Sequence, residues 1–301
     1  MWINVAGAGA IGLLVGARLA EAGQEVRMIT RTAEQAAVIR SGGILLSVED
    51  EKKRISVGAT ERREAAADGS LTILAMKSYD LGEFVGAIGD VPGGAPLLFI
   101  QNGVGHLPLA SSFRHRPVAF GTVEHGAKRT GQGSVEHTGI GPIRISAVSG
   151  DFSPFLPMFK AHSSAFPVLR AEEGPESLLL KKAIKNCMIN PVTAVAGVRN
   201  GELAKDPHLR AILGRLHTEL AGAFPEMANE VTLDGVLDLC RKTAGNTSSM
   251  LADLLAGRKT EAGAIMGGVI GLARARGVSL PALESLTDLV CSMERRKGRH
   301  G

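Results

Sequence analysis

The sequence predicts an α/β fold: a parallel sheet wound with helices in the amino-terminal half, then an all-α carboxyl-terminal half. Short apolar runs alternate with helical patterns through the first half, the signature of a parallel α/β sheet. From Pro175 onward the pattern is long and helical, with few β-rich runs. A length of 301 residues fits two domains. The small, polar, turn-forming stretch Ala171-Glu172-Glu173-Gly174-Pro175 reads as the best candidate linker, dividing residues 1–172 from 173–301.

In chain order, Ile3–Ala6 reads as the first strand. Ile11, Leu14, Val15, Leu19 and Ala22 recur at helical spacing, and Gly23 sits where a helix-ending glycine belongs. Glu25–Thr30 reads as a second strand, after which Thr32 is placed to cap a short helix. Ile44–Val48 and Arg54–Val57 read as extended segments around a charged turn. Leu71–Ala75 and Leu97–Ile100 are continuous apolar runs, as expected of strands buried on both faces. Val118–Gly121, Ser134–Thr138 and Ile143–Ile145 read as further strands.

Composition narrows the function classes. Hydrophobic residues at 45% and charged residues at 21% describe a globular chain. Aromatics at 4% leave an aliphatic core. Lys and Arg outnumber Asp and Glu by 34 to 30, and Arg295, Arg296, Lys297 and Arg299 carry that whole excess. The body is thus neutral, without the basic face that nucleic acid requires, and residues 295–301 read as a solvated, disordered tail. Cys187, Cys240 and Cys291 lie far apart with no CxxC or HExxH, so no metal site is expected and the thiols read as reduced. Residues 1–17 carry no charge, but four glycines interrupt them and no basic n-region precedes an apolar core. Ala262–Ala273 is too short to cross a bilayer. The expectation is a soluble, cytoplasmic protein without a membrane partner.

Gly7-Ala8-Gly9-Ala10-Ile11-Gly12 is a GxGxxG turn between the first strand and the first helix. In that context Gly7 permits the tight turn, Gly9 lets backbone approach a pyrophosphate and Gly12 allows close packing of helix on strand. The helix N-terminus then faces the anion with free N–H groups and its positive dipole end. This makes the first half a Rossmann-type dinucleotide-binding domain. An acidic residue at the end of the second strand would receive the ribose hydroxyls of NAD. Thr30-Arg31 stands there instead, with no acid before Glu34. A guanidinium suits a 2′-phosphate, so the cofactor reads as NADPH/NADP+.

Lys77 and Gln101-Asn102-Gly103 follow apolar runs, at strand ends where such sheets bind ligands. An ordinary turn and a solvated lysine fit these positions equally well. His125 and His137 read as loop residues without a catalytic role. In the helical half, Lys182, Asn186 and Asn190 recur at i, i+4 and i+8 and line one face. Asparagine is an indifferent helix former, which makes the stripe unusual, although a solvated face also fits. Asn246-Thr247-Ser248-Ser249 reads as a helix cap or a site segment. Glu261, which leads into Ala262–Ala273, reads as a first-turn charge or a site residue.

These segments, taken in order, resemble the ketopantoate reductase (2-dehydropantoate 2-reductase) family over nearly the whole chain. The marks are GAGAIG at 7–12, Lys77, QNG at 101–103, VEHGA at 123–127 and KAIKNCMINPVTA at 182–194. NGEL at 200–203, NTSSML at 246–251 and RKTEAGAI at 258–265 complete them. The resemblance implies NADPH contacts from residues 7–12, Arg31, Lys77, Asn102, Glu261 and the backbone near Gly126. It implies that Lys182 is the proton donor, with Glu261 as the second catalytic residue. Lys182, Asn186, Asn190, Asn200, Asn246, Thr247, Ser248 and Ser249 would hold the substrate.

The activity implied is NADPH-dependent reduction of 2-dehydropantoate to (R)-pantoate in pantothenate and coenzyme A biosynthesis. The alternative is a related reductase of another 2-keto acid. The partner is a small-molecule 2-keto acid, with a homodimer as an admissible assembly. A non-catalytic NADPH-binding relative would tolerate loss of Lys182 and Glu261, and both are present. Hydride addition to a keto carbon builds negative charge on its oxygen. A lysine ammonium stabilises that charge and donates the proton, more readily where burial between domains lowers its pKa. Closure of two domains on the substrate would exclude water.

Overall fold

Ile3–Ala6 (β1), Ala10–Glu21 (α1) and Val26–Ile29 (β2) form the opening strand, helix and strand. The computed structural model describes residues 1–89, 94–113 and 115–297. Gly23, at φ +81°, ends α1, as a residue without Cβ can. The Thr32 hydroxyl accepts from the Gln35 N–H at 3.3 Å and caps Ala33–Gly42 (α2). Ile44–Val48 (β3) and Glu51–Ile55 (β4) form an antiparallel hairpin turned at Glu49 and Asp50, and Gly58–Thr60 (β5) follows. Leu71–Leu74 (β6), Ser78–Ile88 (α3), Leu97–Phe99 (β7) and Val118–Val123 (β8) come next. Gly126–Gly131 (β9), Ser134–Gly139 (β10), Ile143–Ala147 (β11), Leu156–Lys160 (α4) and Val168–Arg170 (β12) complete the β-rich part.

The main sheet runs β12-β11-β8-β7-β6-β1-β2-β5, parallel throughout except where β11 meets β8. Every residue of β1, β6, β7 and β8 is buried, including the polar Asn4, Thr72 and Thr122. A second sheet, β4-β3-β10-β9, packs against α1. From β1 the chain first goes to β2 on one side and later to β6 on the other. The order of strands therefore reverses at the ends of β1 and β6, the crevice where open α/β sheets bind ligands.

The remaining helices are Pro175–Ala196 (α5), Glu202–Lys205 (α6), Pro207–Ala223 (α7), Leu233–Lys242 (α8), Ser249–Leu255 (α9), Gly268–Ala275 (α10) and Pro281–Lys297 (α11). α11 carries Arg295 and Arg296, so this part of the expected disordered tail is helical. Cations in a last helical turn complement the macrodipole. Arg299 lies outside the described residues. Chain contacts group the protein into two compact units. One holds Met1–Gln101 and His106–Leu178; the other holds Asn102–Gly105 and the residues from Leu179 onward. Among the described residues no helix is long and apolar enough to cross a membrane, and the three cysteines are free.

The core of the first unit contains an imidazole. His106 is 4% exposed, lies 5.4 Å from the Phe120 ring and is stacked on Phe99. Neither ring nitrogen finds a hydrogen-bond partner. Burial holds its pKa at about 4 against the usual 6.5. The unfolded chain therefore binds more protons between those two values. The contribution is complete above pH 6.5 and is lost as pH falls toward 4. His106→Leu is expected to raise stability at pH 7 by about 1–3 kcal/mol, because a buried polar group without a partner is removed. It should also flatten the loss of stability on acidification, measured by urea unfolding from pH 7 to 4.5. A variant with an unchanged pH slope contradicts this account.

Candidate functional site

The three glycines of the turn after β1 differ in what surrounds them. Gly7 has φ +105°, and a Cβ there would lie 2.5 Å from the Met76 backbone nitrogen. A Cβ on Gly12 would lie 1.8 Å from the Gly7 carbonyl oxygen. The protein's own packing thus demands both glycines. Gly9 is different: it is exposed, and a Cβ there would meet nothing within 4 Å. Space is left beside its backbone at the start of α1, where the first-turn N–H groups have no intrahelical acceptor. No acidic residue occupies that turn, so an anion has no competitor for the dipole. Ala8 is buried, while Ala10 and Ile11 are half-buried. The Gln35 side chain donates to the Ala8 carbonyl at 3.0 Å and to the Gln132 carbonyl at 2.8 Å, which ties the turn to α2.

Arg31 is exposed just beyond the end of β2, next to buried Thr30. Lys77 is half-buried and stands at the N-terminal boundary of α3, three residues beyond β6. Gln101 is buried and donates to the Leu74 carbonyl at 2.8 Å, joining the ends of β7 and β6. Asn102 belongs to the second unit, where its amide donates to the Glu261 carboxylate at 3.4 Å. Gly103 has φ +88°, and a Cβ there would lie 2.2 Å from the Ala264 carbonyl oxygen. The QNG segment is therefore a required turn that also delivers a side chain to Glu261.

In the second unit α5 runs unbroken through Pro191 and presents Lys182, Asn186 and Asn190 along one face. Lys182 and Asn186 are half-buried and Asn190 is buried. Glu261 is 7% exposed. It precedes a π-helical turn at Gly263–Gly267 that leads into α10, a local widening frequent at functional sites. The Cys187 thiol reaches the Ile265 carbonyl at 3.8 Å, so this turn packs alongside the striped helix. Ser248 is the N-cap of α9 and accepts from the Leu251 N–H at 3.3 Å. Asn246, Thr247 and Ser249 around it are exposed. The Asn200 N–H donates to the Asn246 carbonyl at 3.0 Å, and its side-chain amide donates to the Thr243 hydroxyl at 3.0 Å. Buried Asn200 Oδ1 has no partner.

The profile described as "Ketopantoate reductase PanE/ApbA" matches residues 3–150, and that described as "Ketopantoate reductase PanE/ApbA C terminal" matches residues 176–294. The chain belongs to the ketopantoate reductase family. A similar curated relative, 2-dehydropantoate 2-reductase of Listeria innocua, is 32% identical over 295 residues, covering 97% of this chain and 96% of the relative. The crystal structure of probable 2-dehydropantoate 2-reductase from Bacillus subtilis is 32% identical, with a TM-score of 0.86 over 97% of this chain and all of that one. The ternary structure of D-mandelate dehydrogenase with NADH and anilino(oxo)acetate has a TM-score of 0.87 at 23% identity, covering 99% of this chain and all of that one. At that identity it shares the fold.

In this ketopantoate reductase family member the two histidines are not loop residues exposed to solvent. His137 lies on β10, His125 on the turn before β9, and both are buried. The Arg18 guanidinium, which only donates, contacts His137 Nδ1 at 2.9 Å, and His137 Nε2 lies 2.9 Å from His125 Nδ1. The order of donors follows from arginine having no acceptor. Burial is the main cause holding both imidazoles below their usual pKa, His125 at about 4. This chain anchors the turn that carries Gly126. A Cβ on Gly126 would lie 2.7 Å from the Thr138 hydroxyl, so pairing of β9 with β10 already requires glycine there. Gln35 and Thr193 are two further polar residues that tie these segments together. Thr193 falls on the same face as Lys182, Asn186 and Asn190 when the 100° step is carried past Pro191.

Proposed function

We propose that this chain is a 2-dehydropantoate 2-reductase that uses NADPH to form (R)-pantoate for pantothenate and coenzyme A synthesis. Residues 1–172 hold the dinucleotide; residues 173–301 supply the proton donor and the contacts to the acid. The observation that carries the reading is the α5 face with one ammonium and two carboxamides, Lys182, Asn186 and Asn190. It occurs in a chain whose family profiles extend over both halves. The open backbone at Gly9 and the acid-free first turn of α1 fit a pyrophosphate. Lys77, Asn102 and Gly126 are assigned to the same dinucleotide. Exposed Arg31, in place of a ribose-binding acid, supports the phosphorylated form.

When bound, the nicotinamide supplies hydride. Lys182 stabilises the charge growing on the keto oxygen and gives it the proton. Glu261, buried beside the Asn102 amide, orients the reacting groups. Asn186, Asn190, Asn200 and the segment Asn246–Ser249 hold the acid. The unpartnered Asn200 oxygen is an acceptor, which suits a substrate hydroxyl rather than a carboxylate. On this reading the enzyme works in the cytoplasm on a small-molecule acid, with a homodimer as an admissible assembly.

The test is loss of nicotinamide absorbance with ketopantoate beside a panel of other 2-keto acids, run with NADPH and NADH in parallel. Ketopantoate with NADPH is expected to give the highest kcat/KM. A different preferred acid would reassign the substrate, and no keto-acid-dependent oxidation would overturn the reading.

A further inference from the structure

We propose that Thr193 is a positioning residue that fixes Ser248 against α5 and so sets keto-acid affinity, an inference resting on the assignment of Asn190 and Ser248 to substrate. Thr193 is fully buried in a helix interior, where a hydroxyl needs a partner. Its Oγ1 lies 2.9 Å from the Ile189 carbonyl oxygen, 3.0 Å from the Asn190 carbonyl oxygen and 2.7 Å from Ser248 Oγ. A hydroxyl has one proton. Thr193 donates it to a carbonyl of its own helix and accepts from Ser248.

The Ser248 proton is thereby committed to α5, while its oxygen still caps α9 through the Leu251 N–H. The contact ties Ser248 directly to α5 beside the Asn190 carbonyl, in addition to the bond from the Asn200 N–H to the Asn246 carbonyl. A buried threonine that only satisfied its own helix would stop at the Ile189 carbonyl. The short contact to Ser248 is the additional observation. The hydroxyl therefore orients the Asn246–Ser249 segment without needing to touch substrate.

The experiment compares Thr193→Val, which keeps the shape and removes the hydroxyl, with Thr193→Ser, which keeps the hydroxyl. T193V is expected to raise the ketopantoate KM about tenfold, the worth of one buried hydrogen bond. The NADPH KM should stay unchanged, and T193S should restore the parent value. Hydrogen exchange at the Leu251 amide, a readout that needs no substrate, should be faster in T193V and normal in T193S. An unchanged ketopantoate KM, equal rises in both KM values or unchanged exchange at Leu251 each overturn the proposal. A drop in melting temperature alone shows a purely structural threonine and overturns it too. Failure of the parent protein to oxidise NADPH with ketopantoate, with the exchange effect intact, instead overturns the substrate assignment on which it rests.

Discussion

Lys182→Ala is expected to bind NADPH as the parent enzyme does while kcat falls on the order of 10²–10⁴-fold, the range a positioned proton donor contributes. Alanine is the best helix former and Lys182 is half-buried on α5, so the helix should persist. Lys182→Arg separates the two roles of the ammonium. Arginine keeps the positive charge but does not release a proton near neutrality. Recovery by arginine would mean that charge stabilisation carries the effect, whereas continued loss assigns it to proton transfer. Single-turnover mixing with prebound NADPH reads the chemical step directly. A near-normal kcat in the alanine variant removes Lys182 from the acid role.

Arg31→Ala should raise the NADPH KM on the order of tenfold to a hundredfold, the range for hydrogen bonds to a charged group. The ketopantoate KM and the NADH KM should change little. Arg31 is exposed beyond β2, so the fold does not depend on it. Raising the salt concentration should weaken NADPH binding to the parent more than to the variant, because exposed charge pairs are screened. Equal effects on NADPH and NADH would remove the 2′-phosphate contact. A preference already favouring NADH in the parent would do the same.

What could be read from the sequence depended on how each element is solvated. β6 and β7 are covered on both faces, so they appear as apolar runs with boundaries close to those observed. β4 and β9 are edge strands of the small sheet. Lys52, Lys53 and Arg54 on one, and Lys128 and Arg129 on the other, are exposed. Charged edges discourage unwanted strand pairing, and the same charges make such strands look like loops. The expected charged turn is accordingly longer than the observed one at Glu49 and Asp50, and β9 has no apolar run to mark it. α3, by contrast, is legible: Leu81, Phe84, Val85 and Ile88 form a plain helical stripe.

At the candidate site, helical arithmetic alone placed Lys182, Asn186 and Asn190 on one face. The Asn102–Glu261 contact joins segments far apart in sequence, as does that between Thr193 and Ser248, and no local pattern encodes either. Nothing around either histidine in the sequence marks it as buried, because its partner is remote. Arg18 contacts one and that one contacts the other, so three of the four buried ring nitrogens have partners, and His125 Nε2 has none.

The helical unit includes Asn102–Gly105, four residues whose neighbours on both sides belong to the sheet unit. No single cut can therefore excise either unit whole. A fragment beginning at Leu179 would keep the Glu261 carboxylate and the Ala264 carbonyl but lose the amide and the glycine that meet them. Domain exchange between members of this family would accordingly have to graft that short strip together with the helices, since a single swap at Leu179 would separate Glu261 from its native Asn102.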